Sequence, residues 1–369
     1  MRRNSISTFL NSFIPSDKNR IEGLDLLRSI AIVFVVFYHA WAFLSPYFAN
    51  VGQLFFLGFW GVEFFFVLSG FLVGGIFIRT YKASEVLNVS VLLDFWKRRW
   101  KRTIPIYIVV LLTSYLYLNF VYRINIDFPF RYFFFSQNLW YLHPRFFPEA
   151  WSLAVEEWFY ILLPLIFLSF GLLFKKKSDR SIISILVLSI LLLSSIRLVW
   201  VGEAFDLVYW DNYLRKIVLC RLDAILYGVL MYQLFEVYKK LFEKYRYVMF
   251  MIGVLGVVCS YYFFHQKTFN NYNHVFFLSS TSVSISLCLP FFYFFKFRLE
   301  FFKILITLIA VSSYSMYLIH YTLLFRFLNT SLVTKDLIHA FGVFIFYLML
   351  VLFVSLMVYR FVERPLTKR

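Results

Sequence analysis

The sequence predicts an all-α protein, a polytopic transmembrane helix bundle of about ten spans. Of its 369 residues, 61% are hydrophobic and only 15% are charged, and the mean hydropathy is +0.74. A soluble globular domain is far less apolar than this. Crossing a hydrocarbon core of about 30 Å takes about 20 apolar residues, and stretches of that length recur along the whole chain. We therefore expect lipid, rather than water, to surround most of it.

Ten spans follow from these apolar stretches, with edges defined to within about three residues. The sixth differs from the others because Arg221 and Asp223 lie inside it. The spans are 24–45, 54–78, 103–122, 152–174, 181–200, 216–238, 247–265, 275–295, 304–325 and 338–360.

Lys and Arg are distributed unevenly between the loops, which predicts the orientation of the bundle. With the N-terminus in the cytoplasm, the cytoplasmic segments hold 26 Lys and Arg residues and the opposite loops hold 6. Loops rich in Lys and Arg stay in the cytoplasm, so we expect both termini there. Topology and attraction to membrane lipid then explain the net charge of +17, and we expect no nucleic-acid partner.

The first span holds three ionisable residues, Asp25, Arg28 and His39. Such residues cost about 2.5–3.5 kcal/mol each inside a span, which makes each one a candidate for a functional role. The spacing of Arg28 and His39 puts them on one helix face, about 16 Å apart along the axis. His39 suits proton transfer near neutral pH, with a structural histidine as the alternative. Asp25 and Arg28 are three residues apart and could neutralise each other.

The second and third spans carry two polar strings. In FFVLSG of the second span, Ser69 and Gly70 are small enough to let a helix or a ligand approach closely. Directly before the third span, KRRWKRTIP places five cations at the membrane surface, among them Arg98, Arg99 and Arg102. Guanidinium groups bind phosphate through bidentate contacts, so this cluster could hold a phosphate-bearing ligand. Charge that only sets the topology is the alternative.

The fourth span begins with WSLAVEEWFY, which contains Trp151, Ser152, Glu156 and Tyr160. Ser152 and Glu156 are four residues apart and face the same side of the helix. Glu156 lies about one turn inside the membrane, where a carboxylate needs a partner. The assigned topology puts it toward the outer side of the bilayer together with His39, and we expect the two to pair. Such a contact would fix the tautomer and orientation of the imidazole.

Other polar strings have no role that the residues alone define. Arg221-Leu222-Asp223 lies in the sixth span, and SSYSMYLIH, ending at His320, lies in the ninth. Glu363-Arg364-Pro365 closes the last span, where the proline should end the helix. The three cysteines have no paired spacing and no neighbouring histidine, so we expect no metal site.

In this order and at these positions, the strings resemble those of the acyltransferase family 3 membrane proteins, which include O-antigen and other polysaccharide O-acetyltransferases. The resemblance covers essentially the whole chain, and the joint occurrence of its motifs is specific. The matching features are Arg28 with His39, Phe65-Phe66 with Ser69-Gly70, Arg98-Arg99 with Arg102 and Pro105, Trp151-Ser152-Leu153 with Glu156 and Phe159-Tyr160, Ser313-Tyr314-Ser315 with Tyr317 and His320, and Glu363-Arg364-Pro365.

The resemblance implies a ten-span acyltransferase of the bacterial inner membrane. A cytoplasmic acyl-CoA, usually acetyl-CoA, would donate its acyl group to a glycan or lipid-linked sugar, and Arg28 and His39 would be essential. We expect a cytoplasmic segment at 1–23, the acyltransferase membrane domain at 24–361 and a short cytoplasmic tail at 362–369. No soluble hydrolase-like domain is then appended, and any second transfer step would need a separate envelope protein.

Combining the residues with the resemblance gives a hypothesis for each candidate. Arg98, Arg99 and Arg102 would hold the CoA phosphates, and His39 would take the proton of the acceptor hydroxyl, unless it is itself acylated. Arg28 would hold part of the CoA arm or stabilise the inner channel, and Glu156 would stabilise the imidazolium. The remaining candidates would support the substrate or the oxyanion, and they are Ser69, Trp151, Ser152 and Tyr160.

Two other classes of protein fit some of the same features. A transporter or flippase for a polysaccharide or lipid also carries buried His, Glu and Arg, because such residues form proton relays and substrate paths. It would move its substrate without acyl-CoA. A purely structural membrane partner would have no need of so many ionisable residues inside its spans.

Overall fold

A computed structural model describes residue 13 and residues 20–48, 54–85, 87–171, 177–200, 207–265, 275–332 and 334–367. Within these ranges the chain forms helices and no strand, and ten helices are long and apolar enough to cross a membrane. The predicted all-α bundle of ten spans is confirmed. The helices are α1 (Glu22–Phe43), α2 (Phe55–Ala83), α3 (Val89–Val121), α4 (Ala150–Phe170), α5 (Asp179–Val199), α6 (Val218–Val237), α7 (Lys239–Phe264), α8 (Phe277–Phe294), α9 (Glu300–Ser331) and α10 (Leu337–Thr367).

The prediction that Pro365 ends the last helix is wrong, and the third helix extends beyond the predicted span 103–122. Helix α3 begins at Val89, so the basic cluster 97–102 is helical, because Asn88 caps the helix by accepting a hydrogen bond from the amide of Val91 (3.0 Å). Helical turns also continue past Pro365 to Thr367. Pro365 directly follows the π-helical turn Tyr359–Glu363, so the amide that it lacks falls where the α-helical hydrogen-bond pattern is already interrupted.

Some predictions about the chain ends stay open. The segment predicted at 1–23 lies outside the described residues apart from residues 13 and 20–23, and the tail 362–369 is described only as far as residue 367. The side of the membrane on which each terminus lies stays a prediction.

The chain divides into two compact units. Unit 1 comprises Met1–Val62, Trp100–Phe128 and Phe295–Arg369, and unit 2 comprises Glu63–Arg99 and Pro129–Phe294. Unit 1 therefore contains α1, α9 and α10 with parts of α2 and α3. Unit 2 contains α4 to α8 with the other parts of α2 and α3.

Helix α9 is the centre of unit 1, since it packs against both α1 and α10. Two side chains reach backbone carbonyls across helix contacts in this unit. The Ser29 hydroxyl of α1 donates to the carbonyl of Ile306 (2.9 Å), and the Tyr314 hydroxyl of α9 donates to the carbonyl of Thr103 on α3 (3.0 Å). These bonds link three helices whose apolar faces offer little directional preference.

Helix α6 is the centre of unit 2, and it packs against α4, α5, α8 and the middle of α2. The contact with α2 depends on two glycines, because a Cβ atom at Gly70 would lie 1.9 Å from the carbonyl oxygen of Ile225. A Cβ at Gly228 would lie 2.0 Å from the carbonyl oxygen of Val67. Small residues at helix contacts are a common way to bring membrane helices together. The glycine of FFVLSG is thereby explained as a helix-packing residue.

In the part of the chain that the structure describes, four of the membrane helices contain a π-helical turn, a feature that occurs frequently at functional sites. The turn in α2 begins at Gly70, directly after Ser69, and the turn in α9 begins at His320. The turn in α10 ends at Glu363. Three of the predicted motifs therefore coincide with local departures from α-helical geometry. The four turns are Gly70–Gly74, Tyr117–Val121, His320–Phe325 and Tyr359–Glu363.

Candidate active site

His39 lies in unit 1, in the last turn of the α-helical part of α1, where its side chain is half-buried. Its ring is surrounded by side chains of α9. The ring centroid is 5.1 Å from that of His320 and 4.5 Å from that of Tyr321. The structure therefore groups two histidines from distant parts of the sequence, and only one of them had a role predicted from the sequence.

His320 is fully buried, and its ring is held in a defined orientation. Its Nδ1 atom lies 2.7 Å from the backbone carbonyl oxygen of Tyr317. Its own carbonyl accepts a hydrogen bond from the hydroxyl of Tyr347 on α10 (3.0 Å). Nε2 is buried and has no hydrogen-bond partner within the described residues. Such an atom in a protein interior calls for an explanation.

Arg28, the other essential residue that the resemblance implies, is half-buried on α1. Its surroundings include Glu363, a buried carboxylate that accepts a hydrogen bond from the Ser315 hydroxyl (2.5 Å). Both Arg28 and Arg102 lie close enough to Glu363 to act on it electrostatically. Unit 1 thus brings two of the predicted arginines near one carboxylate from the ERP motif.

Asp25 forms an ion pair with Arg20, whose Nη2 lies 2.8 Å from the carboxylate. Arg20 precedes the helix and can fold back onto its first turn, where a carboxylate is also favoured by the helix dipole. The neutralisation of Asp25 by Arg28 stays a prediction, and Glu363 is a carboxylate that the structure places near Arg28.

In unit 2, three predicted candidates form one hydrogen-bonded chain. The hydroxyls of Ser69 and Tyr160 lie 2.8 Å apart, and Tyr160 donates to Oε2 of Glu156 (3.2 Å). The Trp96 indole fixes the backbone beside them by donating to the carbonyl of Tyr160 (2.9 Å). The SG motif of α2 and the WSL motif region of α4 therefore share one polar cluster. The pairing of Glu156 with His39 stays a prediction.

The first turn of α4 carries Trp151 and the buried Ser152, and hydrogen bonds from the loop before α4 hold it in place. The side-chain amides of Gln137 and Asn138 donate to the backbone carbonyls of Ala150 and Trp151, at 3.2 Å and 3.1 Å. The Arg215 guanidinium lies 4.7 Å from the Trp151 ring centre, a cation–π distance. Trp151 thus has packing partners that account for its position without a ligand.

Arg98, Arg99 and Arg102 are spread around the helix surface of α3. Arg98 and Arg102 are exposed and four residues apart, which puts them on one helix face. Arg99 is half-buried, and it lies close enough to Tyr160 to act electrostatically on the phenol. Exposed guanidinium groups at one helix face suit a phosphate-bearing ligand, whereas Arg99 belongs to the polar cluster of unit 2.

Two buried ion pairs account for the other charged residues in the unit 2 spans. Glu63 pairs with Arg221, and Ser282 also donates to Glu63 (3.2 Å). Asp223 binds the Arg197 guanidinium through two contacts of 2.8 Å. The sequence showed Arg221 and Asp223 only as polar residues of the sixth span with no defined role. Their pairing is a property of helix packing, which spacing within one span does not reveal.

Titratable groups in the two segments of unit 2 that precede α4 and α6 show strong effects of burial. Burial lowers the pKa of His143, before α4, to about 3. A backbone hydrogen bond at Pro144 favours the protonated form of His143 but does not outweigh burial. Burial raises the pKa of Asp211, before α6, but Arg215 and Lys216 more than offset this, and the pKa lies below its usual value. These segments therefore carry a neutral histidine and an ionised aspartate near pH 7.

The fold and these clusters define the class of protein: a multi-pass membrane protein with histidine, serine, tyrosine and arginine groups inside its helices. The chain belongs to acyltransferase family 3, since the family model described as "Acyltransferase domain" matches residues 21–360. The resemblance inferred from the motifs is thereby confirmed.

Relatives with curated names cover different shares of the chain. The chain is 28% identical to the O-acetyltransferase OatA of Staphylococcus aureus strain NCTC 8325 over 374 residues, which is 95% of this chain and 57% of the relative. It is 33% identical to a putative O-acetyltransferase of Staphylococcus aureus strain COL over 172 residues, 42% of this chain and 26% of the relative. The chain thus spans little more than half the length of OatA. No solved structure matches the chain.

Proposed function

We propose that the chain is an integral-membrane O-acyltransferase that moves an acyl group, most simply acetyl, from acyl-CoA to a hydroxyl of a cell-envelope polysaccharide or lipid-linked sugar. Family membership and the names of the relatives support acyl transfer. The observation that carries the chemistry is the half-buried His39 beside the buried His320. Imidazole is the side chain best suited to proton transfer near neutral pH.

The proposed reaction is a direct transfer. His39 takes the proton of the acceptor hydroxyl while that oxygen attacks the thioester carbonyl carbon. The carbon–sulfur bond then breaks, and the leaving thiolate takes the proton back from the His39 imidazolium. The products are the O-acyl sugar and free CoA thiol, and His39 returns to its neutral form. Ser69 and Ser152 are the hydroxyl candidates for supporting the oxyanion, and Glu156 for stabilising positive charge.

The basic residues are proposed to bind the acyl donor. Arg98 and Arg102 share an exposed face of α3 and offer guanidinium groups to the CoA phosphates. Arg28, which lies near Glu363 together with Arg102, adds a half-buried cation in unit 1 to the donor site. With both termini in the cytoplasm of a bacterial cell, these residues face the compartment where acyl-CoA is made. The membrane domain at 24–361 then sits in the inner membrane, and a separate envelope protein remains a possible partner.

The test is a transfer assay with purified protein in lipid nanodiscs. Acetyl-CoA and an extract of envelope glycans are supplied, free CoA thiol is titrated, and glycans are analysed by mass spectrometry. We expect wild type to release thiol and to add an acetyl-sized mass to a glycan. His39→Ala should lower the rate by about 100- to 10,000-fold, the usual contribution of a general base.

The matched control is His265→Ala, which changes an exposed histidine at the end of α7. It should keep the wild-type rate. Glycan movement across a vesicle membrane without acetyl-CoA, together with unchanged glycan masses, would contradict the proposal and favour a transporter. Equal rates for wild type and His39→Ala would remove His39 from the chemistry.

A further inference from the structure

The ring of His320 has a defined tautomer. Nδ1 faces the carbonyl oxygen of Tyr317 at 2.7 Å, so it has to carry a hydrogen in either protonation state. In the neutral ring, the lone pair is therefore on Nε2. This is the arrangement of many functional histidines, in which a backbone carbonyl fixes one nitrogen and the other is free to accept a hydrogen.

The position of this ring is fixed from several sides. The π-helical turn of α9 begins at His320, and the Tyr347 hydroxyl holds the backbone carbonyl of the same residue. The side chain is fully buried. A histidine with only a packing role gains little from such placement, since its Nε2 stays without a hydrogen-bond partner within the described residues. An unsatisfied buried polar atom costs about 1–3 kcal/mol.

His39 is the ionisable group on α1 that faces this ring. The two ring centroids are 5.1 Å apart with planes inclined by 47°. This separation lets a rotation of the half-buried His39 ring bring one of its N–H groups within hydrogen-bond distance of Nε2. Hydrogen bonds between catalytic groups are often long without substrate and tighten in the reacting complex. Among the described residues, the other titratable groups around the pair are Tyr38 of α1, Tyr317 and Tyr321 of α9 and Tyr347 of α10.

We propose that His320 is the positioning residue of His39, and that its Nε2 lone pair accepts an N–H hydrogen bond from the His39 imidazolium during transfer. The inference rests on the proposed role of His39 as the general base. No proton leaves His39 in this contact, so the balance of the transfer is unchanged. A neutral acceptor orients His39 as a carboxylate does in other catalytic sites, without adding a charge inside the membrane.

Two substitutions separate the nitrogens of the ring. In His320→Asn, the amide NH₂ stands near the place of Nδ1 and can keep the bond to Tyr317, but no acceptor remains at the place of Nε2. In His320→Gln, the amide reaches the place of Nε2 and can accept a hydrogen bond, although it cannot bind a proton. The matched control is His265→Asn, because His265 also has Nδ1 2.9 Å from a carbonyl one turn back but is exposed.

Rates are measured in nanodiscs with acetyl-CoA, over a range of pH, and the thermal unfolding midpoint is recorded for each variant. Loss of a residue that orients a functional histidine usually costs about 10- to 100-fold. We expect His320→Asn to lose kcat by that factor with the KM for acetyl-CoA within about twofold of wild type. The acid limb of its kcat–pH profile should move to lower pH, because protonated His39 loses its acceptor. His320→Gln should lose less kcat than His320→Asn.

The outcomes distinguish the inference from the proposed function. If wild type transfers acetyl, His39→Ala does not, and His320→Asn keeps the wild-type kcat and pH profile, then the inference is wrong and the proposed function stands. A His320→Gln variant no better than His320→Asn at an equal unfolding midpoint would also overturn the acceptor role. Wild-type protein that never transfers acetyl overturns the proposed function and the inference together.

Discussion

Buried ionisable groups occur in both units, but their partners differ. In unit 2, Glu63 and Asp223 each contact an arginine, and all four side chains are fully buried or nearly so. In unit 1, the buried Glu363 accepts a hydrogen bond from a serine hydroxyl, and the buried Nε2 of His320, beside His39, has no hydrogen-bond partner within the described residues. A buried ion pair holds two helices together. A nitrogen lone pair without a hydrogen-bond donor is available for chemistry.

The comparison teaches that a charge inside a span does not identify a site. Intramembrane ionisable residues are functional candidates by default, and this protein contains both buried ion pairs and residues for which we propose a function. The pairing state, which appears only in the folded chain, separates them. Substitutions in the ion pairs of unit 2 should therefore change stability, and substitutions in the histidine pair of unit 1 should change the rate.

The largest effect is expected from breaking the ion pair of Glu63 and Arg221. Arg221→Leu leaves the Glu63 carboxylate buried without its guanidinium, which costs about 3–5 kcal/mol of the free energy of unfolding. The double variant Glu63→Leu/Arg221→Leu removes both charges and should regain most of that loss. Unfolding in mixed micelles measures both. If the double variant is as unstable as Arg221→Leu, the loss of stability does not come from an unpaired Glu63 carboxylate, and the prediction is wrong.

The next effect tests the close contact of α2 and α6 in unit 2. Gly70→Ala would put a Cβ atom 1.9 Å from the carbonyl oxygen of Ile225, so the helices have to separate. We expect a loss of about 1–3 kcal/mol, the range for overpacked interiors. Gly342→Ala is the matched control, because a Cβ there meets nothing within 4 Å, and it should be neutral or stabilising. Equal midpoints for the two variants would contradict a packing role for the SG motif.

Features that depend on one segment of the chain can be predicted from the sequence, whereas contacts between distant segments cannot. Ten spans were predictable because each depends on the length and hydropathy of one segment, and the start of α3 was missed because its first turns are amphipathic and basic. Ser69, Tyr160 and His320 were recognised as motif residues from the sequence. Their partners were not, because contacts between separate helices depend on packing that spacing within one helix does not encode.

The loop before α4 in unit 2 contains a second buried histidine, His143, which lies outside the membrane spans. Burial holds the folded-state pKa of His143 at about 3, below the unfolded value of about 6.5. Between these values the unfolded chain binds a proton that the folded chain does not. This stability is thus complete above pH 6.5 and is lost as the pH falls toward 3, by about 1.4 kcal/mol per pH unit.

His143→Gln removes that titration and should flatten the fall in stability between pH 6.5 and 5 relative to wild type. Carboxylates elsewhere titrate in both proteins, so the difference between the two curves isolates His143. Parallel curves would show that the loop opens to water before the protein unfolds, and His143 would then be a poor counterpart to His320.

The smallest effect on stability is expected for Tyr160, a residue whose substitution could change both stability and rate. Tyr160 lies in unit 2, yet its hydroxyl joins Ser69 and Glu156, both of which are candidates for the chemistry. Tyr160→Phe should lower the free energy of unfolding by about 0.5–1.5 kcal/mol, the net value of such a hydrogen bond. We also expect a fall in kcat of about tenfold, equivalent to about 1.4 kcal/mol of transition-state stabilisation.

Tyr122→Phe is the control for this variant, because the Tyr122 hydroxyl also joins several groups: it donates to the carbonyl of Arg326 (3.2 Å), accepts from Tyr117 (3.1 Å) and contacts the Thr330 hydroxyl. It should lose similar stability and keep the wild-type kcat. If Tyr160→Phe behaves in the same way, the hydrogen-bonded chain of Ser69, Tyr160 and Glu156 only stabilises the packing of unit 2. A fall in kcat confined to Tyr160→Phe would instead support a role for this chain in the transfer reaction.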